Sequence, residues 1–454
     1  MQQSKLLSLV LLAFSIAATS CGGGGGGSSS APAAANVSNA IADTTVVGDA
    51  SGTGATGASS PTPGSTPTSS TPTPASTPAP PGSTPSPPSV PVGLRLVEVA
   101  TDLNSPWGMA FLPDGHMLIT ERGGQLRLRK ADGTPESGVN DFISGVPAVL
   151  VAGQGGLLDV AVDPAFATNR RIYLSFAQGS ATLNGTAVAR AELNLATRTL
   201  ENVTVIFQQL PKVDSTAHFG SRLVFDRNGY LYVTLGERLT NEQRVFAQDL
   251  TRGNGKVMRI TTDGAPAPGN PFAATPGAQA AIWSYGHRNP QGAAIHPATG
   301  ELWVSEHGPQ GGDEINRVLP GHNYGWPVIS YGQEYGTTTQ VGEGTAKAGM
   351  DPPLTYWEKI DGSAWTGGTK SSIAPSGIAF YNADNIPQWK GNLFVAALAG
   401  TALWRLTVDG NSVTARERLL ADRGERIRDV EQGPDGWLYV LTDGTPAKLL
   451  RYQN

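Results

Sequence analysis

The chain has 454 residues and a formal net charge of −5, from 32 basic and 37 acidic side chains. A slightly acidic chain without a basic stripe gives no support to nucleic-acid binding, which requires clustered positive charge. The single cysteine, Cys21, excludes a disulfide framework, and it leaves the rest of the chain without Cys-ligated zinc, iron–sulfur chemistry or a cysteine nucleophile.

The first 20 residues are typical of an export signal, with Lys5 followed by an apolar run over residues 6–18. The run is too short for a membrane span that also anchors a domain. The small residue directly before Cys21 resembles the bacterial lipoprotein processing site, in which the cysteine becomes the lipidated N-terminus; ordinary cleavage nearby is the alternative. Gly22 stands where Asp would resemble an inner-membrane retention signal. We therefore expect a lipid-anchored protein of the bacterial cell envelope, at the outer membrane and facing the periplasm.

Residues 21–92 form the next segment, and from residue 22 onward they contain no aromatic and only two charged side chains. Twelve of the 34 prolines lie between Pro61 and Pro91. So little apolar surface cannot offset the entropy cost of ordering the backbone, and we expect a disordered Pro/Ser/Thr/Gly-rich tether. Residues 93–454 contain 31 of the 32 aromatic residues and must supply the folded core.

A unit of strand, turn and strand recurs six times within residues 93–454. The copies occupy residues 107–120, 157–176, 221–234, 291–304, 376–395 and 428–440. Each alternates apolar and polar residues, which is typical of an antiparallel hairpin packed between similar neighbours. Six units of about 60 residues leave room for four-stranded blades, so the repeat predicts an all-β, six-bladed β-propeller in one domain. A sandwich or a barrel is the all-β alternative, but neither needs six similar units.

Two further segments are expected to be strands that close the ring, residues 94–100 and the terminal residues 448–452. The widest gap between copies holds a Gly-, Trp- and Tyr-rich insertion, residues 321–375. Long loops on a regular scaffold are often functional, so we expect this insertion to contribute to the site.

Three of the six histidines, His218, His287 and His307, lie in short polar segments next to the repeated strands. The loops beside the inner strands of a propeller meet near its axis, which can bring such residues together. Glu237 follows the strand after His218; within reach of the ring, it would fix the tautomer and stabilise the imidazolium of a general base. A purely structural histidine is the alternative.

Two segments between residues 283 and 314 are rich in polar groups. In the first, Arg288 and Asn289 precede a proline that fixes the backbone, and a polar turn is the alternative. In the second, residues 305–314, glycines and a proline among carboxylates leave backbone carbonyls free to bind a hard cation such as calcium. Solvated surface is the alternative there. The sequence contains no EF-hand spacing, no Gly-rich nucleotide loop between a strand and a helix, and no G-x-S-x-G elbow.

Ten motifs in chain order resemble the glucose/sorbosone dehydrogenase family of soluble quinoprotein sugar dehydrogenases, and particularly its aldose sugar dehydrogenase branch. The motifs lie at residues 153–158, 163–164, 218–223, 255–259, 286–292, 306–309, 313–316, 323–327, 373–376 and 426–429. The resemblance covers residues 94–452. It implies a six-bladed propeller that binds pyrroloquinoline quinone (PQQ) and Ca²⁺ over its axis and oxidises aldose sugars at the anomeric carbon to lactones. It also implies an external electron acceptor, a quinone or a cytochrome.

The resemblance implies roles for individual residues. His218 would take the proton of the anomeric hydroxyl while hydride passes to the quinone, and Glu237, where the family often has Asp, would orient it. Arg288 and Asn289 would face the quinone, where a fixed guanidinium would stabilise the oxyanion that develops on reduction. Gln154 would lie beside the substrate.

The other implied contacts concern the metal and the carboxylates of the cofactor. The backbone carbonyls of Gly308 and Pro309 would bind calcium. Arg426 and Arg428 would pair with carboxylates of PQQ, and the hydroxyl of Ser372 would contact the cofactor.

The sequence departs from a glucose-oxidising relative at two positions. Ala399 stands where that relative has a lysine that contacts the cofactor, so one carboxylate of PQQ loses a cation. Lys370, two residues before Ser372, is the candidate replacement. His307 stands at a substrate-contacting position where the glucose-specific relative has Gln, which weakens the case for glucose specificity.

Two other functions are open on the sequence alone. A propeller of this fold that lacks the cofactor could serve as a carbohydrate- or protein-binding module. A metal-dependent lactone hydrolase can use the same architecture around one metal ion. Neither alternative needs three arginines, so Arg288, Arg426 and Arg428 favour the dehydrogenase.

Overall fold

The computed structural model describes residues 90–135 and 141–454. The described residues do not include the predicted signal peptide (residues 1–20), Cys21 or nearly all of the predicted linker. The structure therefore does not test these predictions. Within the described part of the chain, no helix is long and apolar enough to cross a membrane.

Twenty-four strands in the described residues form six antiparallel sheets of four strands each. The chain begins with β1 (Arg95–Leu103). Blade 1 then contains β2 (Pro106–Phe111), β3 (Met117–Glu121), β4 (Gln125–Arg129) and β5 (Phe142–Ile143). Blade 2 contains β6 (Leu157–Val162), β7 (Arg171–Ser180), β8 (Leu183–Asn194) and β9 (Thr199–Gln208). Blade 3 contains β10 (Leu223–Phe225), β11 (Leu231–Leu235), β12 (Lys256–Ile260) and β13 (Ile282–Tyr285).

The second half of the ring follows the same order. Blade 4 contains β14 (Pro290–Ile295), β15 (Leu302–Glu306), β16 (Asp313–Val318) and β17 (Thr355–Trp357). Blade 5 contains β18 (Pro375–Phe380), β19 (Leu393–Ala397), β20 (Ala402–Asp409) and β21 (Ser412–Leu419). Blade 6 contains β22 (Ile427–Gln432), β23 (Leu438–Thr442) and β24 (Ala447–Gln453) together with β1. The helical elements are short: α1 (Phe166–Asn169), α2 (Asn241–Arg244) and the 3-10 turns Val245–Gln248, Pro387–Trp389 and Ala421–Arg423.

The predicted six-bladed propeller is confirmed, because each of the six sequence units forms the first two strands of one blade. The predicted closure is confirmed as well. β1 pairs antiparallel with β24, with Arg95 opposite Gln453 and Leu103 opposite Ala447. The first strand of the domain therefore completes the last blade, which joins the two ends of the ring by hydrogen bonds.

The largest part of the core lies in six apolar clusters of the described residues, one between each pair of neighbouring blades. Between blades 4 and 5, for example, Trp303, Trp357 and Trp404 pack with Leu393, and all four side chains are fully buried. Because each sheet is covered on both faces by its neighbours, its strands are apolar on both faces, and burial of this surface is the main force that closes the ring.

Hydroxyl groups in the second strands link the blades near the axis. The second strand of each of blades 1 to 4 contains a Thr or Ser whose hydroxyl donates to a backbone carbonyl of the next blade. The pairs are Thr120 with Leu158, Ser175 with Ser221 at 2.7 Å, Thr234 with Pro290 at 2.9 Å, and Ser305 with Ser376 at 2.6 Å. These buried bonds satisfy carbonyls at the blade junctions and fix the spacing of the loops that follow.

Candidate active site

His218 and Glu237 form a buried pair at the end of the propeller where the inner strands begin. His218 precedes β10 and Glu237 follows β11, so the intervening hairpin brings together two residues that are 19 apart in sequence. Nδ1 of His218 lies 2.8 Å from Oε2 of Glu237, and both side chains are buried. Because Nδ1 is bonded to the carboxylate, Nε2 is the ring nitrogen left to exchange a proton.

The surroundings favour a neutral imidazole beside an ionised carboxylate. Burial lowers the pKa of His218 below its usual value of 6.5, and the charge of Arg288 acts in the same direction, although Glu237 opposes both. Burial raises the pKa of Glu237, but His218 and Arg288 outweigh burial and bring it below 4.5. This is the protonation state that a general base of the histidine type requires.

A strained loop holds His218 in place. His218 has a φ of 49° and Ser221 a φ of 84°, both in the left-handed region that such residues rarely adopt. A Cβ atom on Gly236 would lie 2.0 Å from the carbonyl oxygen of His218, so only glycine allows this close approach. The amide N–H of His218 donates to Oε1 of Gln154 at 2.8 Å. Gln154, predicted to lie beside the substrate, is therefore in contact with the candidate base.

Arg288 is buried and held on one side by the loop that follows β15. Its Nη1 donates to the carbonyl oxygens of Gly308 at 2.6 Å and His307 at 3.1 Å. Its Nη2 donates to the hydroxyl of Tyr335 at 3.1 Å. These three bonds fix the plane of the guanidinium, and they leave Nε for another partner.

Several buried polar atoms around His218 have no hydrogen-bonding partner within the described residues. They are Nε of Arg288, Nδ2 of Asn289, Nε2 of His307, Nε of Arg428 and Oε1 of Glu237. Most buried polar groups in folded proteins are hydrogen-bonded, so a group of unpartnered atoms at one site indicates a polar ligand. N–H donors predominate in this set, which suits a ligand rich in carboxylate or carbonyl oxygens.

Electrostatic interactions and hydrogen bonds show that these residues are neighbours although different blades carry them. Burial lowers the pKa of His307 well below its usual value, and the charges of Arg288, His218 and Arg428 lower it further. Oδ1 of Asn289 accepts a hydrogen bond of 3.1 Å from the amide N–H of Gly220, two residues after His218. Predicted site residues from several blades, namely His218, Arg288, Asn289, His307 and Arg428, thus lie near one another.

Arg426 and Arg428 flank the start of β22 and have different environments. The side chain of Arg426 is half exposed, and its Nε donates to Oδ2 of Asp443 at 2.8 Å. Arg428 is buried, and its Nη1 donates to Oε1 of Gln291 at 2.9 Å. Burial lowers the pKa of Arg428 to about 10, against the opposing effect of Asp443. Asp443 offsets the charge of this buried arginine only in part, so Arg428 is suited to bind an anion.

The two carbonyls predicted to bind calcium lie on the turn after β15. The oxygen of Gly308 accepts from Arg288, and the oxygen of Pro309 accepts the hydroxyl of Ser372 at 3.0 Å. A carbonyl oxygen has two lone pairs, so each keeps one for a cation. No group of three or more His, Cys, Asp or Glu side chains that could hold a metal occurs in residues 90–135 and 141–454. A cation at this turn would therefore depend on backbone oxygens.

Carboxylates and a second histidine lie behind that turn. Glu306 and Glu314 are opposite each other in β15 and β16, and burial together with the charge of Glu306 raises the pKa of Glu314 well above its usual value. Nδ1 of His287 lies 2.8 Å from Oε2 of Glu306, and its Nε2 lies 2.8 Å from Oγ of Ser284. Both ring nitrogens are occupied, so His287 has a structural role.

The model of the Glucose / Sorbosone dehydrogenase family matches residues 103–451. The chain belongs to the glucose/sorbosone dehydrogenase family. It is 47% identical over 359 residues to the aldose sugar dehydrogenase YliI of Escherichia coli (strain K12). That match covers 78% of this chain and 92% of that protein. The chain is 30% identical over 411 residues to the quinoprotein glucose dehydrogenase B of Acinetobacter calcoaceticus. That match covers 76% of this chain and 84% of that protein.

A solved structure also resembles this chain throughout the propeller. The PQQ-bound form of the aldose sugar dehydrogenase from Streptomyces coelicolor superposes with a TM-score of 0.63 at 30% identity, and the match covers 80% of this chain and 99% of that one. The sequence resemblance to the glucose/sorbosone dehydrogenase family is therefore confirmed.

In this member of the glucose/sorbosone dehydrogenase family, Lys370 does not have the surroundings of a free cation. Its Nζ lies 2.7 Å from Oε1 of Glu358 and donates to the carbonyl oxygen of Tyr331 at 2.6 Å. The side chain is buried. These contacts argue against Lys370 as the replacement for the lysine that is lost at Ala399.

Sequence reasoning missed Tyr335, which lies in the insertion of residues 321–375. The insertion was expected to be functional, but nothing in its composition singles out one tyrosine. In the structure Tyr335 is 61% exposed while its hydroxyl bonds to Nη2 of Arg288. The exposed ring of Tyr335 therefore lies beside a buried residue of the candidate site.

Proposed function

We propose that this chain is a PQQ- and calcium-dependent dehydrogenase that oxidises aldose sugars at the anomeric carbon to lactones. The observation that carries the proposal is the set of unpartnered buried donors beside the His218–Glu237 pair. PQQ is a quinone with three carboxylates, and it would satisfy donors of this kind. The similarity to a quinoprotein glucose dehydrogenase and to a PQQ-bound aldose sugar dehydrogenase supports the same cofactor.

When bound, PQQ would supply the acceptor of the hydride from the anomeric carbon. Nε of Arg288 and Nδ2 of Asn289 have no partner in the described residues, so both nitrogens could donate to its oxygens. Arg426 and Arg428 would hold its carboxylates, because a guanidinium matches the geometry of a carboxylate. Ser372 is already committed to Pro309 and to the amide of residue 311, and it would contact the cofactor through its remaining lone pair.

His218 would accept the proton of the anomeric hydroxyl at Nε2. Glu237 holds the opposite ring nitrogen at 2.8 Å, so the carboxylate stabilises the imidazolium that forms on proton transfer. Gln154, bonded to the backbone of His218, and His307 would contact the sugar. Burial favours the neutral form of both histidines, which keeps Nε2 of each ring able to accept a hydrogen bond from a hydroxyl.

Calcium would bind to the carbonyl oxygens of Gly308 and Pro309 and complete its coordination with oxygens of the ligand, which is the ligand type that this cation prefers. The buried side chain of Glu306, at the end of β15 just before this turn, would add negative potential there. Such potential lowers the cost of placing a divalent cation there.

The electrons would pass to an external acceptor, a quinone or a cytochrome. We also propose that a lipid at Cys21 anchors the protein to the outer membrane, facing the periplasm, with residues 22–92 as the tether. Cys21→Ala should release the protein into the soluble fraction of the envelope. Unchanged partitioning with membranes would contradict the anchor.

The test of the main proposal is to reconstitute the purified protein with PQQ and calcium and follow an artificial electron acceptor with glucose, galactose and maltose. We expect reduction with at least one aldose, and we expect it to fall when calcium is replaced by a chelator. If no aldose supports reduction and no PQQ absorbance survives desalting, the dehydrogenase is contradicted and a binding module is favoured. Full activity in the chelator would contradict only the calcium requirement.

A further inference from the structure

Arg122 lies where blades 1, 2 and 6 meet. Its amide N–H donates to the carbonyl of Ser105 at 3.0 Å, and the amide of Ser105 donates to the carbonyl of Gly444 at 2.7 Å. The carbonyl of Arg122 accepts the amide N–H of Leu157 at 3.2 Å. The backbone of Arg122 is thus held between the loop that follows β23 and the start of β6, directly after the segment that carries Gln154.

The side chain of Arg122 is partly buried, and its Nε is a buried donor with no hydrogen-bonding partner in the part of the chain that the structure describes. Its charge acts on two residues of blade 6. Burial lowers the pKa of Arg428, and the charges of Arg426 and Arg122 add to that effect. Burial raises the pKa of Asp443, but the arginines, including Arg122, outweigh burial and lower it.

The group formed by Arg122, Arg426, Arg428 and Asp443 has an excess of positive charge. Asp443 is bonded to Arg426 at 2.8 Å and lies 3.8 Å from Nη2 of Arg428. One carboxylate among three guanidiniums leaves about two positive charges uncompensated. Like charges in a partly buried site cost free energy unless an anion offsets them. The group is therefore suited to a ligand with more than one negative charge.

We propose that Arg122 is an additional anion-binding residue of this site and that, with Arg426 and Arg428, it binds the carboxylates of a polycarboxylate ligand. The inference rests on the proposed function, in which that ligand is PQQ. Arg122 adds a third guanidinium to the site, whereas Lys370 is held by Glu358.

A purely structural arginine would behave differently. Structural arginines in this protein donate to several carbonyls or carboxylates, as Arg238 does to the carbonyl of His218 at 3.2 Å and to Oδ1 of Asn184 at 2.6 Å. Arg238 makes these bonds through Nη1 and Nη2, whereas the Arg122 side chain makes no hydrogen bond or ion pair within residues 90–135 and 141–454. Its removal should therefore leave the ligand-free protein as stable as before, or more stable, because repulsion with Arg428 is relieved.

The test compares Arg122→Gln and Arg122→Lys with Arg95→Gln, an exposed arginine of β1 that serves as the control. The full chain, free of cofactor, is dialysed against PQQ with calcium, and bound PQQ is measured by absorbance; melting temperatures are recorded with and without PQQ. We expect Arg122→Gln to weaken PQQ binding by about tenfold or more, since a charge-assisted bond is lost. We also expect the ligand-free melting temperature to stay unchanged and the increase on adding PQQ to shrink. Arg122→Lys should bind better than the Gln variant, and Arg95→Gln should bind like the unmodified protein.

Two results would overturn the inference. If Arg122→Gln binds PQQ as tightly as the unmodified protein, the residue does not contact the ligand. If its ligand-free melting temperature falls in step with its affinity, the role is structural. Failure of the unmodified protein to bind PQQ would instead contradict the proposed function itself, and with it the ligand assigned to Arg122.

Discussion

The guanidinium of Arg288 donates to the carbonyl oxygen of Gly308 at 2.6 Å. The residue predicted to face the quinone is therefore joined directly to a carbonyl predicted to bind calcium. A change in either partner should affect both proposed functions, because one oxygen would contact both the guanidinium and the calcium ion.

Arg288→Lys tests this connection. Lysine keeps the charge but cannot donate to Gly308, His307 and Tyr335 in one plane, so we expect turnover to fall by about 10²-fold or more. The calcium concentration needed for half-maximal activity should also change. The measurement is a calcium titration of activity in the reconstituted enzyme. If turnover and the calcium midpoint are both unchanged, the contact between Arg288 and Gly308 does not contribute to the reaction.

His218→Ala should lower kcat by roughly 10²- to 10⁴-fold, the contribution typical of a positioned general base. PQQ binding should persist, because Nε2 of His218 acts on the substrate. Turnover and retained PQQ absorbance after desalting are measured on the same sample. Loss of PQQ from this variant would mean that His218 holds the cofactor instead.

Glu237→Gln should alter the pH dependence of the reaction. The carboxylate raises the pKa of His218 against the effect of burial, so its removal lowers that pKa further below 6.5. The acidic limb of the kcat/KM profile, where His218 becomes protonated, should move to lower pH, and the plateau should fall because the imidazolium is no longer stabilised. An acidic limb that stays in place would indicate that another group titrates there.

Thr234→Val should lower the free energy of unfolding by about 1–3 kcal/mol, because the carbonyl oxygen of Pro290 is left buried without its donor. Thr204→Val is the matched control, since Thr204 is exposed in β9 and bonds only locally to residue 202. Chemical denaturation measures both variants. Equal stabilities would show that the hydroxyl links between blades contribute little.

The sequence predicted the fold well because repetition is a property that can be read without knowing contacts. Six units of alternating residues, each with a tight turn, can bury both faces only against copies of themselves. The pairing of the terminal segments followed from the need to complete the last blade, and β1 and β24 form that pair. The pairing of His218 with Glu237 also follows locally, since one hairpin separates them.

The contacts that define the site depend on the closed ring. The bond of Asn289 with the loop of His218 joins residues 69 apart, and that of Arg288 with Tyr335 joins residues 47 apart across an irregular insertion. Nothing local determines such pairs. Lys370 illustrates the limit: its spacing from Ser372 made it a candidate cofactor ligand, whereas Glu358 and Tyr331 hold its ammonium group in the structure.

The sequence by itself thus determined the propeller, the family and the residue types that meet at the axis, because repeats and ordered motifs are local and cumulative. Only the tertiary structure decided which of those residues are already paired and which keep an unpartnered donor. Burial makes that difference decisive, since a donor such as Nε of Arg122 or Arg288 has meaning only once the surrounding blades have removed it from water.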